Sequence, residues 1–198
     1  MARPRTFDED RALDTAMRTF WANGYEATST RDLCDALGLD RSSVYNAFRS
    51  KHELFARALA RYIETMNATQ LDILADTDCS AVERIRTLFE RIIDTEFEQR
   101  RNGRGLGCLT VNSTVELSGR DERITHMLDR DLDVRLAALR TVIEAGRAAG
   151  EITSGRDADS LARFVNTVIA GMRVAAQGGA DRTALSEIAA TALDALTV

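Results

Sequence analysis

The chain carries a single proline, Pro4, and none from Phe7 to Val198. Proline lacks an N–H and its ring clashes with the preceding helical turn, so it is the residue that most firmly forbids a continuing helix. With it confined to the N-terminal tail, long helices are open everywhere else, and the expected fold class is all-α. A chain of 198 residues buries one or two modest cores without a metal or disulfide framework. Cys34, Cys79 and Cys108 are odd in number and unclustered, which fits reduced thiols better than a disulfide set or a zinc site. No metal and no cofactor is expected.

Apolar periodicity divides the chain into helices. Leu13, Ala16, Met17, Phe20 and Trp21 fall at i, i+3, i+4, i+7 and i+8 of a first helix over 8–23, with acids at its positive end and Asn23-Gly24 as its stop. Ser29 and Asp32 have capping-box spacing for a short second helix. Gly38 supplies a turn, and Asp40 caps a third helix ending at Phe48. Ser50 caps a long fourth helix carrying Leu54, Phe55, Ala58, Leu59, Tyr62 and Met66. Ser80 and Glu83 open a fifth. The Gly- and Arg-bearing stretch 101–107 reads as the most flexible internal loop. Further helices are expected at 108–118, 121–149, 157–177 and 182–197, the last two with wide apolar stripes suited to a four-helix dimer interface.

The segment Thr28 to Lys51 carries the functional signal. Two short helices joined by a glycine turn bury little alone, so Leu33, Leu37, Leu39, Val44 and Phe48 must pack against the first and fourth helices. The polar face of the third helix, with Arg41, Ser42, Ser43 and Asn46, is left outward, as a recognition helix entering a major groove requires.

This stretch resembles the DNA-binding domain of the TetR family. The family pattern is Phe-x-x-x-Gly-Tyr/Phe-x-x-Thr, a glycine turn, then Tyr-x-x-Phe-x-x-Lys; here it is Phe20, Gly24, Tyr25 and Thr28, then Gly38, then Tyr45, Phe48 and Lys51. The resemblance implies a helix-turn-helix DNA-binding domain over 1–52, with a helical ligand-binding and dimerisation domain over 53–198. It implies base contacts from Arg41, Ser42 and Ser43, with Asn46 beside them, and phosphate contacts from Thr30, Arg31, Tyr45 and Lys51. Arginine can bond guanine through two N–H groups, small serines let backbone approach the groove, and a cation at a helix N-terminus favours an anion. Lys51 is the only lysine among 26 basic residues. Ala47 departs from the family, which often has histidine there. His52 is expected to assist phosphate contact, and Arg49 and Arg57 to be solvated.

The resemblance also implies a homodimeric repressor released from a palindromic operator by a small-molecule inducer. Gly107-Cys108-Leu109 with Asn112 and Glu116 is similar to a Gly-Cys-Leu-x-x-Asn-x-x-x-Glu motif of one TetR subgroup, some members of which sense electrophiles or oxidants. Gly171-Met172-Arg173-Val174 is similar to a second segment of that subgroup. Cys108, Asn112 and Glu116 fall at i, i+4 and i+8, on one helix face, and a thiol at a helix N-terminus has a lowered pKa. Two readings of Cys108 stand side by side: a reactive sensor, or a small buried hydrophobe. Met66, Phe89, Ile92, Met127 and Phe164 join Cys108, Asn112 and Glu116 as pocket candidates, because they lie on inward stripes.

A formal charge of −5 weighs against nucleic acid until its distribution is considered. Residues 1–57 hold nine Lys/Arg and nine Asp/Glu, so the head is neutral and the body carries the excess acid. Weak non-specific binding and a shallow salt dependence follow, with affinity resting chiefly on Arg41, Tyr45 and Lys51. No run reaches the roughly 20 apolar residues of a membrane span, and the first residues lead into Asp8-Glu9-Asp10 instead of an apolar signal core. A cytoplasmic location is expected. Two other classes fit less well: a helical adaptor without DNA binding, and an enzyme using Cys108 as nucleophile and His126 as base.

Overall fold

The computed structural model describes residues 8–101 and 105–197. The proline-bearing tail and the centre of the 101–107 loop lie outside the described residues. Nine helices are present among the described residues: α1 Glu9–Asn23, α2 Thr30–Leu37, α3 Arg41–Phe48, α4 Lys51–Ala75, α5 Ala81–Arg101, α6 Leu109–Leu117, α7 Glu122–Ala148, α8 Ala158–Gln177 and α9 Arg182–Thr197. Local chemistry sets most ends. The Asp8, Asp40, Ser50, Asp121 and Asp157 side chains each accept a backbone N–H at a helix start. Ser29 with Asp32 and Ser80 with Glu83 form reciprocal capping boxes. Gly38 takes φ 64° and ψ 30° after α2, a left-handed conformation that suits a residue without Cβ.

Two apolar clusters hold the helices together. One joins α5, the second half of α7, α8 and α9, with Leu74 from the end of α4. The other joins α1, α2, α3 and the first half of α4 with Cys108, Leu109 and Leu117 of the α6 segment, and Ile124 and Leu128 of α7. The core under the N-terminal helices thus contains residues from beyond position 100. A shift of α6 is felt directly by the packing of α1 and α4, because close-packed interiors transmit displacement. No helix of the described residues is long and apolar enough to cross a membrane.

Candidate nucleic-acid interface and the cavity behind it

Helix α3 is anchored at both ends and open along one face. Asp40 accepts from the Ser42 hydroxyl at 2.6 Å and from the Ser43 N–H at 2.7 Å, and these bonds hold its carboxyl below the usual range. Val44 and Phe48 point into the core, while Arg41, Ser42, Tyr45 and Asn46 are exposed and Ser43 is half-buried. The Arg41 guanidinium lies 5.5 Å from the centroid of the Tyr45 ring. Hydrogen bonds from Thr30 and then Arg41 lower the Tyr45 phenol pKa. The structure therefore gathers Thr30, Arg41 and Tyr45 into one polar group where α2 begins. Arg31 stands exposed nearby, 3.9 Å from Asp35.

Lys51 opens α4, but its ammonium leans back over the Tyr25 ring, 4.3 Å from the centroid and 3.5 Å from the Glu26 carbonyl oxygen. His52 does not join it: its Nε2 lies 2.6 Å from the Asp121 carboxylate. Arg57, expected to be solvated, is paired with Glu9 at 2.7 Å and lies over the Phe48 ring. In both cases the partner is close in space but remote in sequence: Asp121 comes from the corner between α6 and α7, and Glu9 from the start of α1.

Behind the head, Cys108 is the N-cap of α6 and not part of its body, at φ −115° and ψ 124°. Its Sγ lies 3.0 Å from the Thr110 hydroxyl and accepts from the Tyr62 hydroxyl at 3.5 Å. Burial pushes the thiol pKa up, but the charge of Arg173 and the Thr110 and Tyr62 hydrogen bonds outweigh it, and the net direction is down. Arg173 is itself 5% exposed; burial opposes its charge, while Cys108, Tyr62 and Glu96 favour it, and its pKa is raised. At the start of α6 the Val111 N–H adds a smaller lowering contribution through a backbone hydrogen bond.

The thiol lines a cavity of about 20 Å³, together with Tyr62, Met66, Thr110 and Arg173. Of the sequence-derived pocket candidates, only Cys108 and Met66 meet there. The Asn112 amide donates to the Leu106 carbonyl at 3.1 Å. Phe89 and Ile92 sit in the α5–α9 cluster, Met127 packs on the head cluster, and Phe164 is 40% exposed on α8. The Glu116 carboxylate faces the turn after α1. Helical periodicity marks which residues point inward but not which of two cores they enter. Periodicity also passed over Tyr62, taken as core, and Arg173. An arginine four residues after Ile169 on an apolar face was the available signal.

A larger space of about 220 Å³ opens between α6, α7 and α8, sharing Thr110, Val111, Arg135 and Ala170 with the first. A polar chain links the two spaces, from Asn67 and the buried Asp131 beside the first to Asn166 beside the second. Asn67 donates to Asp131 at 2.9 Å, and Arg135 donates to Asp131 at 3.0 Å and to Asn166 at 2.7 Å. His126, on exposed α7 surface, lies 3.8 Å from Glu122, whereas the partners of Cys108 are Tyr62, Thr110 and Arg173. Among the described residues no group of three or more His, Cys, Asp or Glu side chains could hold a metal ion.

Comparison with known proteins agrees with this geometry. Residues 12–58 match the family model described as bacterial regulatory proteins, tetR family, and residues 81–192 match the tetracyclin repressor-like C-terminal domain. The chain is 34% identical over 191 residues to the HTH-type transcriptional repressor ComR of Escherichia coli, covering 96% of this chain and 90% of ComR. It is 30% identical over 168 residues to the uncharacterized HTH-type transcriptional regulator YezE of Bacillus subtilis, covering 84% of each. Its structure is similar to a cysteine-substituted form of the TetR family regulator CifR complexed with 26-base-pair operator DNA, at a TM-score of 0.84 and 30% identity, covering 98% of this chain and 100% of that one. The chain belongs to the TetR family of bacterial regulatory proteins.

Proposed function

We propose that the chain is a cytoplasmic, homodimeric transcriptional repressor that grips double-stranded operator DNA through α3 and releases it on a chemical signal received beside α6. The carrying observation is the outward polar face of α3, with Arg41, Ser42, Tyr45 and Asn46 exposed above buried Val44 and Phe48. The names of its relatives support the reading, since ComR is a repressor and CifR is bound to operator DNA. In this scheme residues 1–52 form the head. Arg41, Ser42, Ser43 and Asn46 face base edges, and Thr30, Arg31, Tyr45 and Lys51 face phosphates.

Two exposed apolar side chains, Phe164 on α8 and Ile188 on α9, border a surface groove and supply the dimer contact. The dimer sets the two recognition helices about 34–36 Å apart, one turn of DNA.

The signal we favour is modification of Cys108. Its pKa is lowered, and the thiolate is the reactive form. The adjoining space of about 20 Å³ holds little more than a water-sized molecule, which favours a small oxidant over a bulky ligand. Thiolate attack on a peroxide oxygen breaks the O–O bond, leaves a sulfenic acid and releases hydroxide or alkoxide. A non-covalent small-molecule inducer is the second reading, favoured by the space of about 220 Å³ between α6, α7 and α8.

Titrating labelled palindromes from beside the protein's own gene tests the reading. Arg41→Ala is expected to cost about 1–3 kcal/mol per head and to relax base preference at one position. Lys51→Ala is expected to weaken all sequences alike and to flatten the salt dependence. Equal binding by the wild type and both variants, or binding by none to any such palindrome, would overturn it.

A further inference from the structure

Three polar links tie α6, the start of α7 and the corner between them to the head and the first turn of α4. Asp121 meets His52 at 2.6 Å, and Arg123 reaches both Glu53 oxygens at 2.6 and 3.2 Å. The third differs in kind, because its donors are backbone. Glu116 accepts the Tyr25 N–H on one carboxylate oxygen at 2.9 Å and the Glu26 N–H on the other at 2.7 Å. The turn is shaped around this carboxylate. Gly24 stands at φ 82°, and a Cβ there would come within 3.2 and 3.3 Å of the two Glu116 oxygens. The same two residues hold the head's lysine, since the Lys51 ammonium rests on the Tyr25 ring and near the Glu26 carbonyl.

We propose that Glu116 is a positioning residue for operator binding. By holding both N–H groups of the turn it sets where the Lys51 ammonium stands, and so whether that charge meets a DNA phosphate. Glu116 lies 90 residues or more in sequence from the turn it holds and, through that turn, acts on DNA without touching it. The inference rests on the reading of Lys51 as a phosphate contact. It requires a carboxylate, because both oxygens must accept; a carboxamide offers one acceptor and turns an NH₂ group against the second N–H.

The slope of log Kd against log salt separates this role from a merely structural one. Each phosphate contact contributes about 0.9 to that slope, or about 1.8 for the two heads of a dimer. Lys51→Ala is expected to lower the slope by that amount. Glu116→Gln should lower it comparably, and the double variant no further than either single one. Glu116→Asp, which keeps the charge but is one methylene short, serves should the glutamine variant not fold, and it too is expected to lower the slope. Circular dichroism and Tm report folding in each case. A Glu116 role confined to stability lowers Tm and the active fraction but leaves the slope intact, and that result, like additive losses in the double variant, overturns the inference. An unchanged slope in Lys51→Ala instead removes the Lys51 assignment and the inference with it.

Discussion

Arg49, which follows α3, sits at φ 64° and ψ −46°, the only described non-glycine residue with positive φ. The Ser50 N–H donates to the Phe48 carbonyl at 2.7 Å, closing a three-residue γ-turn of the strained hand around it. This turn separates α3 from α4. Nothing in the sequence marked it, because the residue paying the strain is arginine and not the expected glycine. Strain of this kind costs on the order of 1–3 kcal/mol, part of which glycine would give back as chain entropy. Arg49→Gly is expected to stabilise the protein by about 1 kcal/mol, a rise of about 2–4 °C in Tm for a chain of this size. A scanning-calorimetry Tm that falls or stays put would show the turn to be unstrained.

At the level of elements, the sequence marks wide stripes on α8 and α9, and only packing divides them. Leu161, Val165, Ile169 and Met172 of α8 are buried with Leu185, Ala189, Ala192, Leu193 and Leu196 of α9. One step round the same helices, Phe164 is 40% and Ile188 39% exposed, flanking a groove of about 490 Å³ with Val168, Ala184 and Ala192. Exposed apolar patches of this sort mark association surfaces. Phe164→Glu combined with Ile188→Glu is expected to give a helical monomer in sedimentation equilibrium, with operator affinity lost because two heads no longer bind together. Retention of the dimer mass would place the interface elsewhere.

Across the whole molecule, the sensor candidate and the head share contacts. Trp21, the chain's one tryptophan, donates its indole N–H to the Gly107 carbonyl at 3.1 Å and meets the Tyr62 ring edge-on at 4.9 Å, while the Tyr62 hydroxyl reaches Cys108. Modification of Cys108 by a small oxidant is therefore expected to change Trp21 fluorescence in step with operator release. Cys108→Ser should show neither change; release equal to wild type would remove the thiol route. The sequence by itself determined the helical class, most helix limits and the recognition helix, because these rest on caps, glycine turns and a 3.6-residue period that act within a few positions. Tertiary structure alone decided that Arg173 lies beside Cys108, that Glu116 holds the turn under Lys51, and that Phe89, Ile92, Met127 and Phe164 stand apart from the thiol. Those outcomes depend on which helix faces meet across long sequence separations, and period alone leaves that pairing open.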